Sequence, residues 1–373
     1  MAGRQRSAAS RARILVRRVH LWLGLSLGLL FAVLGLTGSA LVFYTGIDTV
    51  LHPAIQTGRN DPPLKLNAPA WDRALETGRA RWHDAGGKWT LELTGEGGAI
   101  PARYYPAPGH HGDRMMVWFS ADGTRIVRAE PWGGYLMSWL YQLHMALLAG
   151  DIGGQVVGWS GVAILLLLVS GVVAWWPRGS WRKALAFKRD AAPIRRLRDL
   201  HKLSGLWSMV LLLVLAATGV LLALPAVTQA LLTPATIPTP KSASGGKRQV
   251  AIVQALDAAH RVLPSGRIVF IDMPNAGDAP IRVRLQVPGD PHRRFSGSYV
   301  FIDQLSGHVL AVHDVRRAGT GTTLASWVRA LHDGTVGGMA TRILAVLIGF
   351  VPTILFATGV LHWMRRHKAA RAS

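Results

Sequence analysis

Leu21–Tyr44 reads LWLGLSLGLLFAVLGLTGSALVFY: twenty-four residues without a charge, directly after Arg17-Arg18-Val-His20. As a helix rising ~1.5 Å per residue, this stretch exceeds the ~30 Å hydrocarbon core of a bilayer. Lipid gives a backbone no hydrogen-bond partners, so a segment of this kind spans as a helix. Three more runs have the same character: Val156–Trp176, Leu206–Leu224 and Ile343–Trp363. Half of the 373 residues are hydrophobic, and the mean hydropathy is +0.24. The first run has a basic flank and small residues near its end, as a signal peptide would. It is long for a signal and has a copy later in the chain, so it reads as a retained helix.

The formal net charge of +22 would suggest nucleic acid in a soluble protein. Its location argues against that. Arg4, Arg6, Arg11, Arg13, Arg17 and Arg18 precede the first span. Arg178, Arg182, Lys183, Lys188, Arg189, Arg195, Arg196 and Arg198 fill the link between spans two and three, and Arg365, Arg366, Lys368 and Arg371 follow the fourth. With four spans these segments share one side, and the positive-inside rule makes that side cytoplasmic. No nucleic-acid partner is expected. Cysteine is absent, which removes disulfides, iron–sulfur clusters and covalent c-type haem attachment.

The chain repeats itself. His20-Leu-Trp-Leu-Gly24-Leu25 aligns with His201-Lys-Leu-Ser-Gly205-Leu206, and without a gap Leu36-Thr37-Gly38 then meets Ala217-Thr218-Gly219. Leu143-His144 aligns with Leu331-His332, bringing Gly171 to Gly359, Trp175 to Trp363 and Trp139 to Trp327. Spans one and three are copies, as are spans two and four. Each intervening region carries a helix-like stretch (Ala70–His83; Val250–Val262) and strand-like runs (Trp89–Leu93, Ala102–Tyr105 and Met115–Phe119; Arg267–Asp272, Ile281–Val287 and Tyr299–Ile302). Glycine turns follow at Ser120-Ala-Asp-Gly123 and Asp303-Gln-Leu-Ser-Gly307. Pro62-Pro63 and Pro234–Gly246 read as links out of the membrane.

The expected fold is therefore an α-helical membrane protein with four transmembrane helices, a duplicated helix–lobe–helix unit with two α+β lobes outside the cytoplasm. Its parts are a basic cytoplasmic N-terminus (1–19), transmembrane helix 1 (20–46), lobe 1 (47–131), and an outer-side helix with transmembrane helix 2 (132–177). A basic cytoplasmic linker (178–198), transmembrane helix 3 (199–225) and lobe 2 (226–324) come next. An outer-side helix with transmembrane helix 4 (325–364) and a cytoplasmic tail (365–373) complete the chain. A repeat of two-span units keeps its orientation, so its pseudo-twofold runs along the membrane normal.

Of fourteen histidines, nine lie in the lobes or tail, His110 and His111 among them. The other five accompany apolar spans, where an ionisable group is costly and tends to be functional. His20 and His201 begin spans one and three at the cytoplasmic face. His144 and His332 precede spans two and four at the outer face, and His362 lies near the cytoplasmic end of span four. A low-spin b-type haem takes two axial imidazoles and needs no cysteine. Under the pseudo-twofold, His20 pairs with His201 and His144 with His332, so two haems would stack across the bilayer. His362 is an alternative to His20 as the cytoplasmic-side ligand. One interfacial histidine alone reads equally as a snorkelling side chain; four at matching repeat positions favour haem. A divalent metal fits less well, since no carboxylate sits at ligand spacing inside the spans. Asp151 and Asp333 follow the outer histidines, either to orient an imidazole or as solvated helix-end carboxylates. The tryptophans near the span ends, Trp159 among them, read as an aromatic belt.

The histidine-glycine starts, the Leu-His starts and the closing Gly-x-x-x-Trp segments resemble the PepSY-associated transmembrane family. Val300-Phe-Ile-Asp303-Gln-Leu-Ser-Gly307 is similar to the strand–turn of its PepSY lobe, with Met116-Val-Trp-Phe-Ser-Ala-Asp-Gly123 as a weaker copy. The resemblance implies an iron-regulated protein of the bacterial inner membrane with periplasmic lobes. It further implies ferric-siderophore reduction through two b-type haems held by these histidines. The chain shows no flavin or nicotinamide fingerprint, so electrons would come from a cytoplasmic protein or a quinol. The family name also implies an alternative: lobes that bind or inhibit a periplasmic peptidase, or sense a ligand, without redox chemistry.

Overall fold

The computed structural model describes residues 8–107, 113–177, 179–243 and 249–371. Arg4, Arg6, Arg178, His110 and His111, and the end of the 234–246 link, lie outside the described residues. In chain order the elements begin with α1 (Ala8–Leu41), α2 (Tyr44–Leu51), α3 (Ala70–Arg81), β1 (Lys88–Glu92), β2 (Ile100–Tyr105), β3 (Met115–Phe119) and β4 (Ile126–Pro131). Then come α4 (Leu136–Ala146), α5 (Gly150–Trp175), α6 (Trp181–Leu185), α7 (Pro193–Ala223), α8 (Pro225–Leu232) and α9 (Ile252–Val262). The last are β5 (Arg267–Pro274), β6 (Ile281–Gln286), β7 (Ser298–Ile302), β8 (Val309–His313), α10 (Gly319–His332) and α11 (Gly338–Arg371). Two compact units result: Met1–Val42 with Gln142–Val227 and Leu331–Ser373, and Phe43–Tyr141 with Thr228–Ala330.

The first unit is a bundle of α1, α5, α7 and α11, the four helices among the described residues that are long and apolar enough to cross a membrane. α1 packs against α5 and α11, and α7 against the same two, which leaves α1 and α7 diagonal. Ile164, Leu168 and Leu212 are buried between them, with Phe31 and Leu355 packed alongside. α1 and α11 approach closely because both are small there. A side chain at Gly35 or Gly349 would collide with the facing backbone or with Ser39, whose hydroxyl donates to the Val346 carbonyl at 2.9 Å. Tight contact through small residues is how helices associate in lipid, where burying apolar surface gains nothing. Before α5 the chain breaks its helix with left-handed Leu147, Leu148 and Gly150; before α11, Gly334 and Gly338 do the same. His144 and His332 thus sit at the ends of separate short helices, α4 and α10.

In the second unit the two expected lobes are joined edge to edge rather than standing apart. Its eight strands form one antiparallel sheet in the order β4-β3-β2-β1-β5-β6-β7-β8. β1 pairs with β5 through Trp89↔Met273 and Leu91↔Ile271. As separate lobes, β1 and β5 would be unpaired edges, which templates aggregation; joined, each satisfies the other. α3 and α9 share one core on the sheet, with Trp71, Leu75, Trp89, Leu256, Ile271 and Val283 all buried. Polar contacts cross the same seam: Ile252 N, at the start of α9, donates to Asp72 Oδ1 of α3 at 2.7 Å. Arg79 Nη2 donates to the Pro274 carbonyl at 2.7 Å.

Candidate functional site

The bundle brings four of the five membrane histidines into two facing pairs. At one end His20 of α1 meets His201 of the diagonal α7, with ring centroids 6.3 Å apart. At the other end His144 meets His332 at 6.1 Å. Gly38, on which His144 rests, lies eighteen residues beyond His20 in α1. That places the pairs about 27 Å apart along the helix, close to the ~30 Å thickness of a hydrocarbon core.

Each ring is held in the same way. His20 Nδ1 lies 3.1 Å from the Leu167 carbonyl and 3.1 Å from Ser170 Oγ. His201 Nδ1 lies 3.0 Å from the Leu355 carbonyl and 3.1 Å from Thr358 Oγ1. His332 Nδ1 lies 3.1 Å from both the Leu215 carbonyl and Thr218 Oγ1. His144 Nδ1 lies 3.0 Å from Thr37 Oγ1. A carbonyl only accepts, so Nδ1 carries the hydrogen. The hydroxyls accept too, because each donates its own hydrogen to a carbonyl one turn back, as Thr358 does to Ile354 at 2.6 Å and Thr37 to Val33 at 2.8 Å. A neutral imidazole protonated on Nδ1 presents its lone pair on Nε2. That is the arrangement of a metal-ligating histidine whose other nitrogen is anchored.

The rings lie against glycines. A Cβ at Gly38 or Gly171 would stand 3.0 Å from His144 or His20 Cε1, one at Gly219 would stand 3.1 Å from His332 Cε1, and one at Gly359 3.5 Å from His201 Cε1.

The spacing would suit one metal ion held between each pair. Metal–nitrogen bonds of about 2.0 Å on opposite sides, with each ring centre about 1.1 Å beyond its nitrogen, put the centroids about 6.2 Å apart. Both pairs match this. Among the described residues no group of three or more His, Asp or Glu gathers as metal ligands.

The PepSY-associated TM region family matches residues 17–366. The chain belongs to that family. An uncharacterized protein of Pseudomonas aeruginosa is 28% identical over 265 residues, which is 62% of this chain and 64% of that protein. The chain thus spans less than two thirds of the length of this curated relative.

In this PepSY-associated protein the hydroxyls escaped the sequence reading, although a signal for them exists. Leu34-Gly-Leu-Thr37-Gly38, Leu167-Leu-Val-Ser170-Gly171, Leu215-Ala-Ala-Thr218-Gly219 and Leu355-Phe-Ala-Thr358-Gly359 are one motif, Leu-x-x-Ser/Thr-Gly, present in every span. In each copy the hydroxyl takes a histidine Nδ1–H and the glycine makes room for the ring; the carbonyls of Leu167, Leu215 and Leu355 take it as well. His20 of span one rests on span two and His144 of α4 on span one; His201 of span three rests on span four and His332 of α10 on span three. The ring that faces His201 is that of His20; His362, further along α11, is not in ring contact with it. The Nδ1 positions are filled by carbonyl and hydroxyl oxygens rather than by carboxylates, and Asp333 accepts from Thr335 N at 3.0 Å, closing a local turn.

Proposed function

We propose that this protein is a di-haem b electron carrier of the bacterial inner membrane that reduces a periplasmic ferric-siderophore and releases ferrous iron. The observation that carries the reading is the pairwise facing of four imidazoles, each with Nδ1 already committed to a carbonyl or hydroxyl oxygen. His20 with His201 would hold one haem, and His144 with His332 the other. When bound, each supplies a one-electron redox centre. The chain's own residues fix the ligating tautomer through Leu-x-x-Ser/Thr-Gly and keep the rings apart by helix packing. They also set the two centres near opposite faces of the membrane.

The positive segments support a cytoplasmic position for both termini and the 178–198 link, and with it a periplasmic sheet unit. Correspondence of the two halves, in the Leu-x-x-Ser/Thr-Gly motif and in strand order about β1–β5, supports duplication of a helix–lobe–helix unit. Siderophores hold ferric iron tightly and ferrous iron weakly, so adding one electron frees the metal.

The test is a reduced-minus-oxidised spectrum with pyridine haemochrome quantitation on detergent-purified protein, followed by ferrous-iron release from a ferric-siderophore. Two b haems per chain are expected, with one lost on replacing either member of a pair by alanine and both kept in His362→Ala. Protein without haem after haem-replete expression would overturn the reading and favour a peptidase-binding or sensing role.

A further inference from the structure

The two halves treat their histidines alike but differ on the lipid-facing side of α5. A groove of about 440 Å³ there is lined by Leu27 of α1 and by Ile152, Gln155, Val156, Trp159, Ser160 and Ala163 of α5. Three of these side chains bear polar groups: the Gln155 amide, the Trp159 indole N–H and the Ser160 hydroxyl. None has a hydrogen-bond partner among the described residues. The register that matches His144 to His332 matches Gln155 to Ile343, Trp159 to Leu347 and Ser160 to Ile348. The exposure is the same in both copies, 59% for Trp159 and 60% for Leu347. Equivalent positions on equivalent helices therefore differ in chemistry alone. Unpaired polar groups facing hydrocarbon are costly, and α11 shows that the fold does not require them.

The position of the groove gives the polar groups a use. α1 and α5 run antiparallel, with His20 against Leu167 and Ser170 and Leu27 beside Ala163 in the groove. Counting outward at ~1.5 Å per residue from Leu27, Ile152 and Gln155 come within a turn of Thr37-Gly38, the seat of His144. The groove thus runs from mid-membrane to the level of the outer histidine pair, apolar along Leu27, Val156 and Ala163 and polar toward Gln155.

We propose that this groove binds the head group of a prenylated membrane quinol, with its tail in lipid and its ring oxygens on Gln155 and Ser160 beside Trp159. The redox part of the inference rests on the di-haem reading. A bound quinol breaks both O–H bonds and becomes the quinone. On oxidation its two protons would go to the nearby outer aqueous face, and haems held by the two histidine pairs would take up its two electrons one at a time. Two one-electron centres match a two-electron donor to a one-electron acceptor, ferric iron.

The experiment uses the full protein in nanodiscs with an azido-quinone of short tail, and peptide mapping of the photo-adduct. Adduct within residues 152–163, competed by decyl-ubiquinone but not by excess phospholipid, is expected. It should fall at least tenfold in Gln155→Ile with Ser160→Ile, which installs the residues of the other repeat and leaves the fold intact. No competed adduct, or equal competition by phospholipid, would overturn the site, because the groove would then hold ordinary lipid. Anaerobic mixing with decyl-ubiquinol reads the redox step. Haem reduction in the native protein and its loss in the double variant, with dithionite reduction unchanged in both, support it. A haem-loaded protein that dithionite reduces and quinol does not would overturn the donor role while leaving the di-haem reading standing. A specific adduct on a haem-free protein would uphold the site and sink the di-haem reading.

Discussion

Thr37 Oγ1 and His144 Nδ1 lie 3.0 Å apart although 107 positions separate them in the chain. The hydroxyl accepts from the ring because its own hydrogen goes to the Val33 carbonyl at 2.8 Å. One threonine thereby fixes which nitrogen of a histidine, carried by another helix, presents its lone pair. Thr218 does the same for His332.

On the di-haem reading, removing that acceptor should weaken haem binding at one end of the bundle only. Thr37→Val should lower the affinity of the outer centre about tenfold, in the range measured for groups that orient a metal ligand. Thr37→Ser should restore it, and the inner centre should be unchanged. Haem titration of the apoprotein, with the two centres resolved by single-histidine variants, checks this.

Glycine beneath each ring is a steric requirement. Gly38→Val drives side-chain atoms into His144, and Gly171→Val into His20, since even a Cβ would stand 3.0 Å from the ring carbon. Each should cost one haem by pyridine haemochrome assay, the outer and the inner respectively. Gly46→Ala, with open space around its Cβ position, should keep both.

Acid should unfasten the sheet unit through Glu92. Its carboxylate meets Arg294 Nε at 2.6 Å and Arg103 Nη2 at 3.4 Å. Burial alone pushes its pKa up, but the two guanidiniums outweigh burial and hold the carboxyl below its usual range. A depressed folded pKa contributes stability that is complete above the unfolded value, about 4.3, and is lost as pH falls through the folded value. Tryptophan-fluorescence melts should therefore show a stability decline below about pH 4.3. Glu92→Gln should flatten that decline and cost about 3 kcal/mol at neutral pH, the scale for breaking a buried ion pair.

Asp72 caps a helix of the opposite half. Losing its bond to Ile252 N should cost about 1 kcal/mol, the usual value of an N-cap. Asp72→Ala should accelerate amide hydrogen exchange in the first turn of α9 more than in α3, where Asp72 itself resides.

Much of this was legible in the sequence because hydropathy and repetition act over long stretches. The spans follow from unbroken apolar runs, and the pairs His20/His201 and His144/His332 from aligning the chain with itself. Three things were hidden. A serine or threonine bonded to its own preceding turn looks like ordinary helix accommodation, so the motif around Ser170 and Thr358 gained meaning only when a histidine was found on it. Fusion of the lobes depends on β1 meeting β5, and nothing local in Trp89 or Met273 names a partner beyond two spans. β4 and β8 are short edge strands; Arg128 and Glu130 on one and the half-exposed Val309 and Leu310 on the other blur the alternation that marks a strand.

The β1–β5 seam sets an order of assembly. β1 leaves the ribosome early, but its neighbour β5 follows only after α5 and α7 have been made. Until then the first four strands carry a bare edge, a state in which chains are prone to stray pairing. Completion of the sheet is thus contingent on both central spans having been threaded correctly. A chain stalled or inverted at either of them leaves β1 unpartnered, and the sheet unit becomes a built-in report on membrane insertion.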